Sequence, residues 1–196
     1  DGEFDGLDDV DVRDDLLRAL DRAGRYDDAI TLWLTQAGRR GGHGKAALAG
    51  AIEQAYRGGR YAQAQALLER LPAKDRLRGD RPWLAAWLKL RLGEREAAIA
   101  SFAALEKKLR GEQVTVARYF RGRLLVSAAE DRAEGVALLR AVAAAGPMDY
   151  YGLQARSGGI AAGAGGRGPW RDAGGCGGRG GGGAAGPLAA GGRHAP

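Results

Sequence analysis

The sequence predicts an all-α protein: an α-solenoid, or superhelix, of stacked helix pairs, followed by a Gly-rich stretch expected to be disordered. Three observations predict it. Apolar residues recur at helical spacing, and strand-like alternation is absent throughout. A short turn motif recurs at intervals between 34 and 37 residues. The composition also breaks at about residue 158, where a packed core stops being affordable.

The turn motif reads Gly24-Arg25-Tyr26-Asp27-Asp28-Ala29-Ile30, Gly59-Arg60-Tyr61-Ala62-Gln63-Ala64-Gln65 and Gly93-Glu94-Arg95-Glu96-Ala97-Ala98-Ile99, with a degenerate copy at Glu130-Asp131-Arg132-Ala133-Glu134-Gly135-Val136. Five residues after each start stands Ala29, Ala64, Ala98 or Gly135, and nine after stands Trp33, Leu68, Phe102 or Leu139. Gly24, Gly59 and Gly93 are expected to end a helix in the left-handed region. The small residue is expected where two antiparallel helices approach most closely, and the large one lies a turn further along the same face. Helix–turn–helix units at this period form the tetratricopeptide pattern.

The elements follow in order. First helices of each pair are expected near 13–22, 45–57, 81–92 and 113–129. Second helices are expected near 26–36, 61–70, 95–110 and 132–144. Asp80 reads as an N-cap with Pro82 in the first turn behind it. Pro72 reads as the stop of the 61–70 helix. The loop Gly38–Gly44 is basic and glycine-rich and is expected to be mobile. Residues 1–12 read as an acidic flexible leader, 13–157 as the superhelical domain and 158–196 as a low-complexity tail. Of the tail's 39 residues, 33 are Gly, Ala, Arg or Pro. Such a stretch cannot offset an ordering cost of roughly 1–2 kcal/mol per residue.

Charge is uneven. Residues 1–22 carry 9 acids and 3 bases, whereas 23–157 carry 14 acids and 23 bases. A basic body suits polyanionic partners, although solvated Arg-rich helix faces account for it equally simply. A single cysteine excludes an internal disulfide framework and a multi-cysteine zinc site. No apolar run of about 18 residues exists, so no membrane span is expected. The chain begins at Asp1 without a basic-then-apolar leader, and reads as a mature form or a piece of a longer protein.

Candidate chemistry is sparse. Gly38-Arg39-Arg40-Gly41-Gly42-His43-Gly44-Lys45-Ala46 is glycine-rich and ends on Gly-Lys, as a phosphate loop does. It lacks the first required glycine, the hydroxyl after Lys and a preceding strand, so it reads as a linker. His43 and His194 have no partners at metal-ligand spacing, and Cys176 has no histidine partner. Asp8, Asp9, Asp11, Asp14 and Asp15 lack the glycine and terminal glutamate of a calcium loop and suit a helix start instead. Trp33, Trp83, Trp87 and Trp170 could stack on sugars, but Trp83 and Trp87 at i, i+4 fit packing between repeats. Tyr119 and Phe120 read as a helix core edge flanked by Arg. No cofactor and no metal is expected.

The most specific stretch is Gly146-Pro147-Met148-Asp149-Tyr150-Tyr151-Gly152-Leu153-Gln154-Ala155-Arg156. Pro147 is expected to open a helix, and Tyr150, Tyr151 and Leu153 to form a bulky anchor. The stretch resembles the Pro-x-Asp-Tyr-Tyr-Gly-Leu-x-Ala segment of soluble lytic murein transglycosylases, carried here by Pro147, Asp149, Tyr150, Tyr151, Gly152, Leu153 and Ala155. Ala117-Arg118-Tyr119-Phe120-Arg121-Gly122-Arg123-Leu124 is similar to that family's Ala-Arg-Tyr-Trp-x-Ala-Arg-x-Leu helix, with Phe120 for Trp and Gly122 for Ala. The resemblance is close over about 113–156 and only repeat-like over 13–112.

The resemblance implies a bacterial periplasmic protein whose parent enzyme cleaves the bond between N-acetylmuramic acid and N-acetylglucosamine in peptidoglycan, leaving 1,6-anhydromuramoyl ends. In the family one glutamate, in a Glu-Ser context within a separate lysozyme-like domain, is acid and then base. This chain has no Glu-Ser pair, and its last glutamate is Glu134. No catalytic residue is carried over, and glycosidic chemistry needs a carboxylic acid beside the scissile bond. The chain is therefore expected to be a non-catalytic superhelical scaffold, inactive alone, whose partner through the full-length parent is the glycan strand. A tetratricopeptide-type adaptor with a protein partner on its concave face is the alternative. Nucleic acid is not expected, for want of a base-reading motif.

After Arg156 the chain departs from the family. Gly, Ala, Arg and Pro share codons that begin with G and C only, so the stretch from about 157 reads as a shifted frame of a GC-rich gene. A genuine disordered tail is the other reading. Translation of the coding DNA in its other frames separates them.

Overall fold

The computed structural model describes residues 10–38 and 44–160, and the expectations for Arg39 to His43, Trp170, Cys176 and His194, and for the acidic leader ahead of Val10, fall outside them. The described residues are helical, with no strand among them. The chain divides into two compact units between Glu94 and Arg95. The first holds α1 (Val10–Arg22), α2 (Tyr26–Gly38), α3 (Gly44–Arg57), α4 (Tyr61–Glu69), α5 (Ala73–Arg76) and α6 (Arg81–Arg91). The second holds α7 (Arg95–Lys108), α8 (Glu112–Val126), α9 (Arg132–Ala145) and α10 (Tyr150–Gln154), which runs into a π-helical turn, Ala155–Ile160.

Three of the recurring turns are built alike. Gly24, Gly59 and Gly93 have φ of 68°, 72° and 77°. After each, the next amide reaches back to close the helix: Arg25 N to Leu20 O at 2.9 Å, Arg60 N to Ala55 O at 2.7 Å and Glu94 N to Lys89 O at 2.9 Å. Paired with the glycine's own bond to the carbonyl three residues back, this is a Schellman closure, and it needs the left-handed residue. The fourth copy has Glu130 where the others have the turn glycine, and α8 ends differently. Ser127 N and Ala128 N bond three residues back, and the Leu124 carbonyl also accepts from Ser127 Oγ at 2.6 Å and Arg95 Nε at 3.2 Å.

Helix starts correct three expectations. Asp80 makes no side-chain cap, and its backbone is already helical at φ −84°, ψ 0°. Its carbonyl accepts from Leu84 N at 2.9 Å, and Pro82 fills the first turn, where no donor is needed. Pro72 does more than stop α4. Its carbonyl takes the amides of Asp75 and Arg76 and so starts α5, an element the apolar period does not mark. Pro147 does not open a helix; it lies in a turn, and α10 begins three residues later behind an extended Asp149 (φ −76°, ψ 155°).

In the first unit the core gathers Ile30, Ala51, Ile52, Ala55, Ala64, Leu67, Leu68, Leu71, Leu84 and Leu88, with Trp33 and Tyr56 at its edge. Leu17, Leu20, Ala29 and Leu32 form a smaller cluster beside α1. In the second unit Tyr119, Val126, Leu139, Val142 and Ala155 form the core, with Phe120 and Tyr151 packed on it. Ala29, Ala64 and Ala98 are each fully buried. Gly135 occupies the same column, and a Cβ there would stand 2.6 Å from Val126 N and 2.9 Å from Gly122 O.

Successive turns are also tied to one another inside each unit. The third residue of the turn recurs as a rung against the end of the next first helix. Tyr26 lies against Gly58, where a Cβ would come within 2.7 Å of its own. The Tyr61 ring carries the Arg91 guanidinium at 4.8 Å, and its hydroxyl accepts from Arg91 Nη2 at 2.8 Å. Arg95 reaches the end of α8 and pairs with Asp131 at 2.8 Å. Asp27 and Arg60 add a two-pronged pair at 3.0 and 2.6 Å. That bond from Arg60 is the main reason the Asp27 carboxyl sits below its ordinary range.

Candidate functional site

The residues that the sequence singles out at 146–155 lie where α10 meets α8 and α9. Gly146 caps α9, its amide bonding Val142 O at 3.3 Å. Its carbonyl then accepts from Asp149 N at 3.1 Å, and the Asp149 carbonyl accepts from Leu153 N at 2.9 Å. The chain thus turns sharply out of α9 and into α10. Gly152 is buried directly against the Gly146 carbonyl, and any Cβ at 152 would collide with that backbone. The Asp149 side chain closes over Gly146. A residue larger than glycine at 152 would push the turn open, whereas one at 146 would have to displace the Asp149 side chain.

Tyr151 is the member of the stretch that anchors it. Its ring meets Tyr119 at 5.2 Å and Phe120 at 6.0 Å, and Phe120 in turn stacks on the buried Phe102 at 5.7 Å. Arrangements of this kind add about 0.5–1.5 kcal/mol per pair beyond area burial. Arg123 lies over the Tyr119 ring, and its Nη1 donates to Tyr119 Oη at 2.8 Å. Burial raises the Tyr151 phenol above its ordinary value, and the neighbouring Tyr150, Tyr119 and Glu112 push it the same way. Ala155 is fully buried in this cluster. Leu153 and Tyr150 stay largely exposed, at 47% and 68%, although the Tyr150 ring meets the Tyr151 ring edge-on at 5.1 Å.

A charged network lies beside the aromatics and left no mark in the sequence. Glu106 of α7 is nearly enclosed and faces Arg118 Nε at 3.5 Å and Arg121 Nη1 at 3.4 Å, both on α8. Arg121 also pairs with Glu134 of α9. Three helices are joined through one guanidinium. Both glutamates are therefore ion-pair partners.

The other sequence candidates disperse. Asp14 pairs with Arg13 and Asp15 with Arg18, local contacts of α1. Trp33 packs on both clusters of the first unit and against Gly50. Trp87 donates to the Tyr56 hydroxyl, whose phenol is raised mainly by burial. Trp83 is half-buried on the same helix. Lys45, the lysine of the rejected phosphate loop, pairs with the enclosed Asp75 at 3.0 Å, and this contact is the main cause of that carboxyl's lowered pKa. Among the described residues no three His, Cys, Asp or Glu side chains converge as a metal site would require, and no helix is long and apolar enough to cross a membrane.

The Tyr26–Tyr61–Arg95 rungs were within reach of the sequence, since they recur at one position of the repeated turn. The Glu106 network was not, because its members come from three helices with no common spacing. Comparison with protein families, with curated proteins and with solved structures finds no match to this chain.

Proposed function

We propose that this chain is the non-catalytic superhelical scaffold of a peptidoglycan lytic transglycosylase, working in the bacterial periplasm on glycan strands through its full-length parent. One observation supports the reading above the rest. The two stretches that resemble the family, 117–124 and 147–155, are separate in sequence but pack together through Tyr119, Phe120 and Tyr151. The family's glycine and small residues fall where a side chain would collide, at Gly152 and in the buried Ala155. Turn-to-turn rungs within each unit supply the local step from which a superhelix of helix pairs is built. A basic body suits a polymer whose peptides carry carboxylates. The chain carries no Glu-Ser pair of the kind the family uses for catalysis, so in this reading it confines or positions the strand and leaves cleavage to another domain.

The test is co-sedimentation with purified peptidoglycan sacculi, followed by analysis of the released sugars. Retention that weakens with salt, without 1,6-anhydro products, is expected. Failure to sediment with sacculi at low salt would overturn the glycan reading. It would move the tetratricopeptide-type adaptor ahead, a reading favoured by the apolar side chains that α10 leaves exposed. An adaptor retains a defined peptide or protein partner and ignores sacculi.

A further inference from the structure

The connection between α4 and α6 gathers positive charge and apolar surface in one short fold of the first unit. Arg70, Lys74 and Arg78 are exposed and Arg76 is half-buried. Leu77 stands between the two last arginines and is 64% exposed, more than any other large apolar side chain described in that unit. A run of turn bonds keeps the stretch compact. The Pro72 carbonyl accepts from Asp75 N at 2.8 Å and Arg76 N at 3.1 Å, the Asp75 carbonyl from Arg78 N at 3.3 Å, and the Arg78 carbonyl from Arg81 N at 3.3 Å. Two further contacts pin it to the helices behind. The enclosed Asp75 carboxylate pairs with Lys45 of α3 at 3.0 Å, and the Asp75 carbonyl accepts from Arg81 Nη1 at 2.8 Å.

The charge of this connection is not cancelled locally. Asp75 is the single acid between Arg70 and Arg78, with Glu69 and Asp80 just outside. Its carboxylate is already held by Lys45, although Lys74 and Arg78 also lie within its electrostatic reach. Among the described residues, Arg70, Lys74, Arg76 and Arg78 close no ion pair of their own. We propose that this connection is a peripheral contact for an anionic lipid surface, with the four cations meeting lipid phosphates and Leu77 entering the headgroup layer. A lone exposed leucine means little; here it is held by a pinned turn with cations on both sides. A soluble polyanion uses the charges and leaves Leu77 in water. An anionic bilayer uses both, since each base near its surface contributes about fivefold and the leucine gains by leaving water. No described helix is long and apolar enough to cross a membrane, so this is a contact with the surface alone. The inference is independent of the glycan reading.

The probe is sedimentation of the full chain with vesicles of phosphatidylcholine, alone or mixed with phosphatidylglycerol, at low salt. Binding to the anionic vesicles that falls with salt, and none to phosphatidylcholine alone, is expected. Lys74→Gln combined with Arg78→Gln weakens it about 25-fold, two charges at about fivefold each, and Leu77→Ser weakens it several-fold. Lys107→Gln combined with Lys108→Gln removes the same charge from exposed positions of the second unit and has far less effect. All five side chains are exposed, so far-UV circular dichroism of the variants stays as in the parent chain. No sedimentation with anionic vesicles, or equal losses from the two charge pairs, overturns the proposal. Polyglutamate tests the competing source. Polyglutamate binding lost with Lys74 and Arg78, together with vesicle binding that Leu77→Ser leaves unchanged, gives the patch to an acidic polymer and also overturns it. Purified sacculi contain no lipid, so the glycan reading fails or stands on its own measurement.

Discussion

Substituting Gly135 by alanine tests the packing argument most sharply, because repeat and structure predict opposite signs. Three of the four repeats carry alanine at this position, Ala29, Ala64 and Ala98, each fully buried. Read from the repeat alone, Gly135→Ala restores the pattern and gains about 1 kcal/mol of helix propensity. In the structure a Cβ at 135 stands 2.6 Å from Val126 N, 2.7 Å from Val126 Cγ2 and 2.9 Å from Gly122 O. Two of these three atoms are backbone, so α8 and α9 must move apart and lose contact along Leu139 and Val142. Overpacking of this kind costs about 1–3 kcal/mol, and with backbone on both sides the upper end applies. Net of the propensity gain, the loss is about 2 kcal/mol, a fall in Tm of about 4–8 °C for a chain of this size. Gly122→Ala is the internal comparison. Its Cβ meets Leu139 Cγ at 3.0 Å, Cδ2 at 3.2 Å and Gly135 O at 3.2 Å, none as close as the contacts at 135, so its effect is smaller. Gly38→Ala, with nothing within 4 Å, is neutral or slightly stabilising. Thermal unfolding followed by circular dichroism reads all three. A Tm for Gly135→Ala equal to or above that of the parent chain would refute the reasoning.

Three further outcomes are expected. Glu106→Gln costs about 2–3 kcal/mol, because two guanidinium groups lose an enclosed partner, whereas Glu134→Gln, at a half-exposed pair, costs under about 1 kcal/mol; urea titration compares them. The lowered carboxyls of Asp27 and Asp75 contribute stability that is fully present above the ordinary value of 3.8 and is lost as pH falls through their lower folded values. Acid unfolding is therefore shallower in Asp27→Asn and Asp75→Asn. The raised Tyr151 phenol contributes stability present below its ordinary value of 10 and lost as pH rises through the folded value. Tyr151→Phe removes that alkaline loss in a pH series of unfolding curves, and Tyr151→Ala costs about 2 kcal/mol at neutral pH.

Much of the fold was legible in the sequence, because its signals are local. A glycine that must be left-handed, a small residue five further on and a large one four beyond that give each helix pair its turn and its inner face. The helices accordingly begin and end within a few residues of the expected positions, apart from α5 and α10. The first was hidden because it spans about a turn and carries no period of its own, and the second starts three residues after the Pro147 expected to open it. Asp80 misled for a related reason. A cap needs an extended backbone as well as the right side chain, and the 76–80 turn leaves Asp80 helical. The 146–155 stretch was conspicuous as a pattern, yet which residues anchor it could not be read from it. Tyr150, Tyr151 and Leu153 are equally bulky candidates, and only the angle at which α10 leaves Gly146 turns Tyr151 inward and the other two out.

The sequence by itself determined the all-α class, the succession of helices and the turns that join them, since these depend on propensity, period and backbone freedom within a few residues. Only the tertiary structure decided that Tyr119, Phe120 and Tyr151 share one cluster, that Glu106, Arg121 and Glu134 join three helices, and that Gly135 cannot be the alanine its repeat suggests. Each of these depends on distances between helices remote in sequence. Side-chain volume and charge set such distances jointly across the packed unit, and no single stretch of the chain records them.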